Sequence, residues 1–250
     1  MEGNFVTDMF VTFPEPVIPE RLRLGKSLVV AVDGPSGSGK SSISKAVARR
    51  LGLAFLDTGA MYRALTWHCL NGRINLENAA AVEAAARTVK IEQSLTPDGD
   101  FVRVNGINVT GPIREPDISK AVSAVATNLG ARRELVRRQQ EIIAQCGSRI
   151  VVEGRDITTV VAPRAEARLI LTASEEARLR RRGLQLGGSQ TQAQLREQVV
   201  GRDAKDATVV DFQRAADGVY TVDSSELDFE ETVDAVINVV RRSVNEGPAA

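Results

Sequence analysis

Gly34-Pro35-Ser36-Gly37-Ser38-Gly39-Lys40-Ser41 follows the pattern G-x-x-x-x-G-K-[ST]. Glycines in such a loop let backbone N–H groups converge on phosphate oxygens, and a helix that starts there adds the positive end of its dipole. Lys40 brings a point charge to the β- and γ-phosphates, and the Ser41 hydroxyl is a ligand for Mg²⁺. A Gly/Ser loop can also do no more than turn the chain. Here an apolar, β-branched run (Ser27–Val32) precedes the loop and a helical stripe follows it, the context a triphosphate site requires. The segment Gly34–Ser42 is therefore read as the seat of Mg·ATP.

Phosphoryl transfer consists mostly of positioning and charge neutralisation, so arginines are expected where two sets of phosphates meet. They stand in four places. Asp57-Thr58-Gly59-Ala60-Met61-Tyr62-Arg63 follows a second apolar run. Gly154-Arg155-Asp156 follows a third, at the edge of the sheet where ligands bind in open α/β folds. Arg178, Arg180, Arg181 and Arg182 precede a segment rich in Gly, Gln and Ser (Gly183–Gln194), and Arg202-Asp203 with Asp206 follow it. A lone arginine more often marks a solvated helix face. Placement at strand ends and on both borders of a flap favours phosphate instead, although one helix turn cannot aim all four residues of Arg178–Arg182 at one ligand. Two acids are candidates for the magnesium shell through water: Asp33, close to Lys40 and Ser41, and Glu153, which could equally cap the next turn.

Composition removes other chemistries. Lys+Arg and Asp+Glu number 32 each in 250 residues, so no basic excess suggests a nucleic-acid partner. His68 is the only histidine, and Cys69 and Cys146 lack metal or disulfide spacing, which leaves little material for zinc sites or His-based triads. Trp67, His68 and Cys69 read as packing residues, and Cys146 has no activating neighbour. No stretch approaches the ~18 apolar residues of a membrane span. The expectation is a reduced, cytoplasmic monomer that acts on small molecules and contacts neither membrane nor nucleic acid.

The elements that must position these residues follow from periodicity. Ile43, Val47 and Leu51 with Ala46 form one helical stripe, closed by Gly52. Further apolar runs at Ala54–Leu56, Arg149–Val152, Arg168–Leu171 and Val219–Val222 alternate with helical periods, the last being Phe229, Val233, Val236, Ile237 and Val240. That alternation predicts an α/β fold, a parallel sheet with helices on both faces. Residues 73–115 break the rhythm. An Ala-rich helix (Leu76–Val89) precedes short runs at Lys90–Ser94, Phe101–Val104 and Ile107–Val109, and Asn105-Gly106 is a hairpin signal. This segment reads as a small α+β insert. Residues 27–72 and 116–250 then form the core, with a lid at about 183–194. Residues 1–26 read as a disordered leader, because Pro14, Pro16 and Pro19 oppose regular structure and Glu2 and Asp8 oppose a signal peptide.

Four segments together resemble the bacterial cytidylate kinase family: DGPSGSGKSS at Asp33–Ser42, LDTGAMYRA at Leu56–Ala64, GPIREPDISKAVSAVA at Gly111–Ala126 and VVEGRDITTVVAP at Val151–Pro163. The resemblance covers about Leu28 to Arg242. It implies a five-stranded parallel P-loop kinase core with a monophosphate-binding insert and a short lid, phosphorylating CMP or dCMP with ATP and Mg²⁺. By the same resemblance Thr58 lies near the acceptor, Arg63 holds its phosphate, Ser123 contacts the cytosine edge, and Arg132 contacts base or phosphate. Asp156 lies near the sugar hydroxyls and Arg155 near phosphate, with Arg202 and Asp206 opening an R-D-x-x-D-x-x-R pattern after the lid. Arg178 and Arg182 are assigned to ATP; Lys40, Arg155, Arg181 and Arg202 are assigned to the transfer itself. The pattern is not completed: Val209 stands where the last arginine belongs, the usual Pro-Leu pair is missing from Val210–Arg214, and Arg214 is a possible substitute. Two rival readings follow. One is a relative that phosphorylates a modified pyrimidine nucleotide or another small molecule; the other is a non-catalytic ATP-binding regulatory module.

Overall fold

The computed structural model describes residues 27–185 and 191–246. The expected leader and the middle of the expected lid lie outside the described residues. A five-stranded parallel sheet forms the centre, built from β1 (Leu28–Asp33), β2 (Ala54–Asp57), β6 (Arg149–Glu153), β7 (Ala167–Thr172) and β8 (Tyr220–Asp223) in the order β2-β6-β1-β7-β8. β1 lies in the middle, with Leu28 opposite Arg149 of β6 and Val30 opposite Ala167 of β7. All six of its residues are buried, as a strand covered on both faces must be.

The pleat divides this strand between two cores. Val29 and Ala31 join Leu56, Ile150 and Val152 under α2 (Thr58–Asn71), α4 (Pro116–Ala126) and α5 (Leu129–Gln145). Leu28, Val30 and Val32 join Phe55, Leu169 and Leu171 under α1 (Lys40–Leu51) and α9 (Phe229–Glu246). Local caps set several of the helix ends. Asp57 accepts from Ala60 N at the head of α2, Asn128 accepts from Ala131 N at the head of α5, and Gly52 ends α1 with φ of 60°.

The insert holds α3 (Ala79–Thr88), capped by Asn78, and an antiparallel sheet of β3 (Ile91–Gln93), β4 (Val102–Val104) and β5 (Ile107–Asn108). Asn105 and Gly106 have φ of 49° and 81°, the paired positive values that a two-residue hairpin turn needs. The helix is shorter at its start than the apolar pattern predicts, because the Asn78 side chain caps the chain only from Ala79 onward. Val82, Ala85, Val102 and Val104 belong to the same apolar cluster as Leu56 and Val152, so the insert shares one face of the core.

The expected flap is helical at both of its described ends. α6 (Glu175–Gln185) runs through Gly183, and α7 (Gln192–Arg196) opens with a reciprocal cap between Thr191 and Gln194. A π-helical turn (Glu197–Gly201) then leads into α8 (Arg202–Asp206). Because the core strands are parallel, Asp33, Asp57, Glu153, Thr172 and Asp223 all end at one edge, and the loops that follow them gather there.

Candidate functional site

At that edge lies an open cavity of about 980 Å³, lined on one side by Ser36–Lys45 and on the other by Thr58, Tyr62, Arg63, Arg132 and Asp156. Ligand pockets span ~300–1,000 Å³, so this cavity lies at the upper end of that range. Gly34, Gly37 and Gly39 have φ of 145°, 78° and 90°. A Cβ at Gly34 would stand 2.1 Å from the Leu171 carbonyl oxygen, so the loop is shaped by its close approach to β7. α1 begins at Lys40 with no side-chain cap and no acid in its first turn, which leaves its N-terminus suited to an anion. The Lys40 ammonium reaches back to the Pro35 carbonyl at 2.7 Å, and Ser41 Oγ donates to Glu153 Oε1 at 2.6 Å.

Asp57 both caps α2 and holds Arg63, accepting from Ala60 N at 2.8 Å and from Arg63 Nη2 at 2.9 Å. Burial works against its charge, but Arg63, the Ala60 amide and Arg114 outweigh burial and keep the carboxyl below its usual range. The Arg182 guanidinium also lines the cavity; burial and then the charge of Arg63 lower its pKa. Two like charges facing one space are relieved by an anion placed between them. Thr58 lines the cavity as expected, although its hydroxyl donates to the Glu153 carbonyl at 2.8 Å.

Away from the loop the cavity is lined by Arg132, Asp156 and Asp206, each held by a hydrogen bond. Ser123 Oγ donates to Asp206 Oδ1 at 3.2 Å, and Arg132 donates to Asp156 and to the Ala126 carbonyl. Burial pushes the Asp156 carboxyl up, and Arg132 offsets part of that rise. Arg155 takes a third direction: Nη2 donates to Ser36 Oγ at 2.7 Å, Nε lies 3.7 Å from Asp206 Oδ2, and its guanidinium stacks 4.9 Å from the Phe212 ring. Arg178 donates to the Ser36 carbonyl at 3.0 Å and to Asp203 at 2.5 Å. Arg181 spends its terminal nitrogens on carbonyls of Ser38 (3.2 Å) and Ser224 (2.6 Å), tying the Gly-rich loop to the segment before α9. Arg202 begins α8.

Asp33 is 1% exposed, and its carboxylate accepts from Ile157 N (2.9 Å), Thr158 N (2.8 Å) and Thr158 Oγ1 (2.7 Å). It thereby anchors the turn Ile157–Val161 that follows the Arg155-Asp156 segment. Arg214 is exposed and outside the cavity lining, whereas Val209 lies in it at 36% exposure. Asp203 and Tyr62 fell within quoted motifs but were given no role, and Phe212 and Phe229 belonged to none. Asp203 carried a weak signal as the neighbour of Arg202; the others read as ordinary core or helix residues.

Among the described residues there is no cluster of three His, Cys, Asp or Glu suited to a metal. Mg²⁺ does not need one, because it is bound through one or two protein oxygens plus substrate phosphates. The Ser41–Glu153 pair beside Lys40 is an oxygen donor set of that kind.

The cytidylate kinase family model matches residues 30–242. A cytidylate kinase of Cutibacterium acnes is 44% identical over 216 residues, covering 85% of this chain and 96% of that protein. The cytidylate kinase of Nocardia farcinica is 43% identical over 227 residues, covering 89% and 97%. That of Bacillus cytotoxicus is 37% identical over 225 residues, covering 88% and 99%.

The pH dependence of stability tests the burial of Glu153. Burial, and after it the charge of Asp57, raises this carboxyl above its ordinary 4.5. A carboxyl raised in the folded state binds its proton more tightly there than in the unfolded chain. The native state therefore loses stability as pH climbs from that ordinary value through the folded one. Glu153→Gln removes the penalty. Its thermal midpoint should exceed the parent's at about pH 7.5 and converge on it toward about pH 4.5. A gap that stays constant with pH, or a variant less stable at neutral pH, would contradict this reading.

Proposed function

This chain belongs to the cytidylate kinase family, and from that premise we propose how its residues divide the transfer of the ATP γ-phosphate to CMP. The observation that carries the reading is the shared cavity: the loop residues Ser36–Ser42 and the polar residues Arg132, Asp156 and Asp206, the last held by Ser123, line it together with Arg63, Arg155 and Arg182. The loop amides and Lys40 seat the triphosphate. Arg63, held by Asp57, takes the acceptor phosphate, and Arg155 and Arg182 neutralise charge between donor and acceptor. The acceptor phosphate oxygen is itself the nucleophile. It attacks the γ-phosphorus as the bond to the β-γ bridging oxygen breaks, so ADP leaves with that electron pair and no side chain need act as a base. Mg²⁺ entering with ATP would be held by Ser41 and, through water, by Glu153, and would neutralise charge on the β- and γ-phosphates. Arg178 and Arg181 brace the loop through the Ser36 and Ser38 carbonyls. Arg202, at the head of α8, belongs to the same phosphate-binding set.

At the acceptor end, Asp206 and Ser123 supply acceptors for the exocyclic amine of cytosine, and Arg132 supplies a donor to its edge. Asp156 accepts from the sugar hydroxyls, and dCMP is a second acceptor. The protein acts as a cytoplasmic monomer on small nucleotides. No described helix is long and apolar enough to cross a membrane. Neither the modified-acceptor reading nor the non-catalytic one has an observation in its favour beyond Val209.

A coupled ADP-release assay across the nucleoside monophosphates tests the assignment. Uracil places a carbonyl where cytosine places an amine, so UMP sets a carbonyl oxygen against Asp206. Sites built on such hydrogen bonds discriminate strongly, and CMP should exceed UMP in kcat/KM by roughly a hundredfold or more. Comparable turnover of UMP or AMP would overturn the acceptor assignment.

Val209 supplies a second test. Apolar surface stands in the cavity where an arginine completes the family pattern, and Arg214 is not among the lining residues. Val209→Arg should raise kcat/KM for CMP by about tenfold, the scale of one charge-assisted hydrogen bond. The gain falls on kcat if the contact forms only as charge shifts in the transition state. Arg214→Ala should change little. Absence of any gain in Val209→Arg would mean the pocket is shaped for an acceptor other than CMP.

A further inference from the structure

Asp203 is 3% exposed and sits on α8, yet its carboxylate bonds across chain separations of 167, 48 and 25 residues. It accepts from the Ser36 amide through both oxygens, at 2.9 and 3.2 Å. Oδ1 also accepts from Arg155 Nη2 at 3.4 Å, and Oδ2 from Arg178 Nη1 at 2.5 Å. The same two guanidiniums bind Ser36 itself, Arg155 through Oγ and Arg178 through the carbonyl. A buried carboxylate thus takes one amide of the phosphate loop and two arginines, a donor set equally suited to phosphate oxygens.

We propose that Asp203 is a positioning residue that acts through Arg155 and Arg178 as an internal anion, aiming both guanidiniums at the loop and competing there with the phosphates of ATP. The inference rests on the reading of Gly34–Ser42 as the ATP site. Two physical reasons favour it over a merely structural bridge. An aspartate that only capped α8 would need the amides of α8, whereas this carboxylate reaches the loop and the far strand end. Two guanidiniums beside one amide also form a strong anion site, which binds whichever anion offers more charge. Phosphate carries more charge than a carboxylate and displaces it, while the carboxylate keeps the arginines from swinging away before phosphate arrives.

The competition gives opposite signs to affinity and rate. In Asp203→Asn the competing charge is gone and the shape is retained. Dissociation constants for ATP and for inorganic tripolyphosphate, measured by calorimetry without acceptor, should fall about three- to tenfold. Because the arginines lose their holder, kcat with CMP should fall about tenfold or more. Asp203→Glu, which keeps the charge, should restore part of kcat and move ATP affinity back toward the parent. Unchanged or weaker binding of ATP and tripolyphosphate in Asp203→Asn overturns the proposal, and so does an unchanged kcat. If that variant fails to fold by circular dichroism, Asp203→Ser is read by the same criteria. Failure of the parent protein to bind either probe would strike at the donor-loop assignment itself, and is thereby distinguished from failure of the proposal.

Discussion

Four guanidinium groups of this protein are held in place because each is tied to a buried or partly buried carboxylate. Arg63 is held by Asp57, Arg132 by Asp156, and Arg155 and Arg178 by Asp203. Without these partners the cations would repel one another and turn outward to water; with them, they remain aimed. Burying such pairs is costly, and it adds little to stability compared with well-packed apolar residues of the same size. The upward-shifted carboxyls of Glu153 and Asp156 are the visible sign of that cost. Their retention makes sense as preorganisation for a reaction in which charge moves but the catalytic groups should not.

The parallel sheet makes the arrangement possible. Its strands run in one direction, so Asp57 at the end of β2 and Glu153 at the end of β6 arrive side by side, opposite each other in the strand register. One strand further, β1 delivers the Gly-rich loop. Asp33 then braces the turn after β6, and Glu153 in turn meets Ser41 of the loop. A single edge thereby sets the distance between the donor loop and the acceptor residues, and α1 and α2 carry Lys40 and Arg63 in from either face.

The local parts of this site were legible in the sequence. The phosphate loop, the cap-and-arginine motif Asp57–Arg63 and the Gly154-Arg155-Asp156 turn each declare themselves within eight residues, because their chemistry depends on neighbours in the chain. The alternation of strands and helices and the hairpin at Asn105-Gly106 followed from periodicity and turn chemistry, whereas the strand order β2-β6-β1-β7-β8 did not. What depends on distant parts of the chain was not legible. Asp33 was read by its nearness to Lys40, and its partners at Ile157 and Thr158 lie far along the chain. Nothing local shows that Arg181, which lines the cavity, also holds the carbonyls of Ser38 and Ser224. Asp203 was overlooked beside Arg202, since nothing local shows that its carboxylate crosses to Ser36. Val209 was recognised as a departure, and in the structure it lines the cavity while Arg214 does not.

The central claim is that one cavity brings a donor and an acceptor nucleotide together with their phosphates between the arginines. The most direct measurement is calorimetric titration with a bisubstrate analogue, adenosine and cytidine joined 5′ to 5′ through five phosphates. The account predicts one equivalent bound per chain, with affinity well above that of ATP or CMP alone and with competition against both in steady-state kinetics. Competition against ATP alone, or two independent binding events, would contradict it.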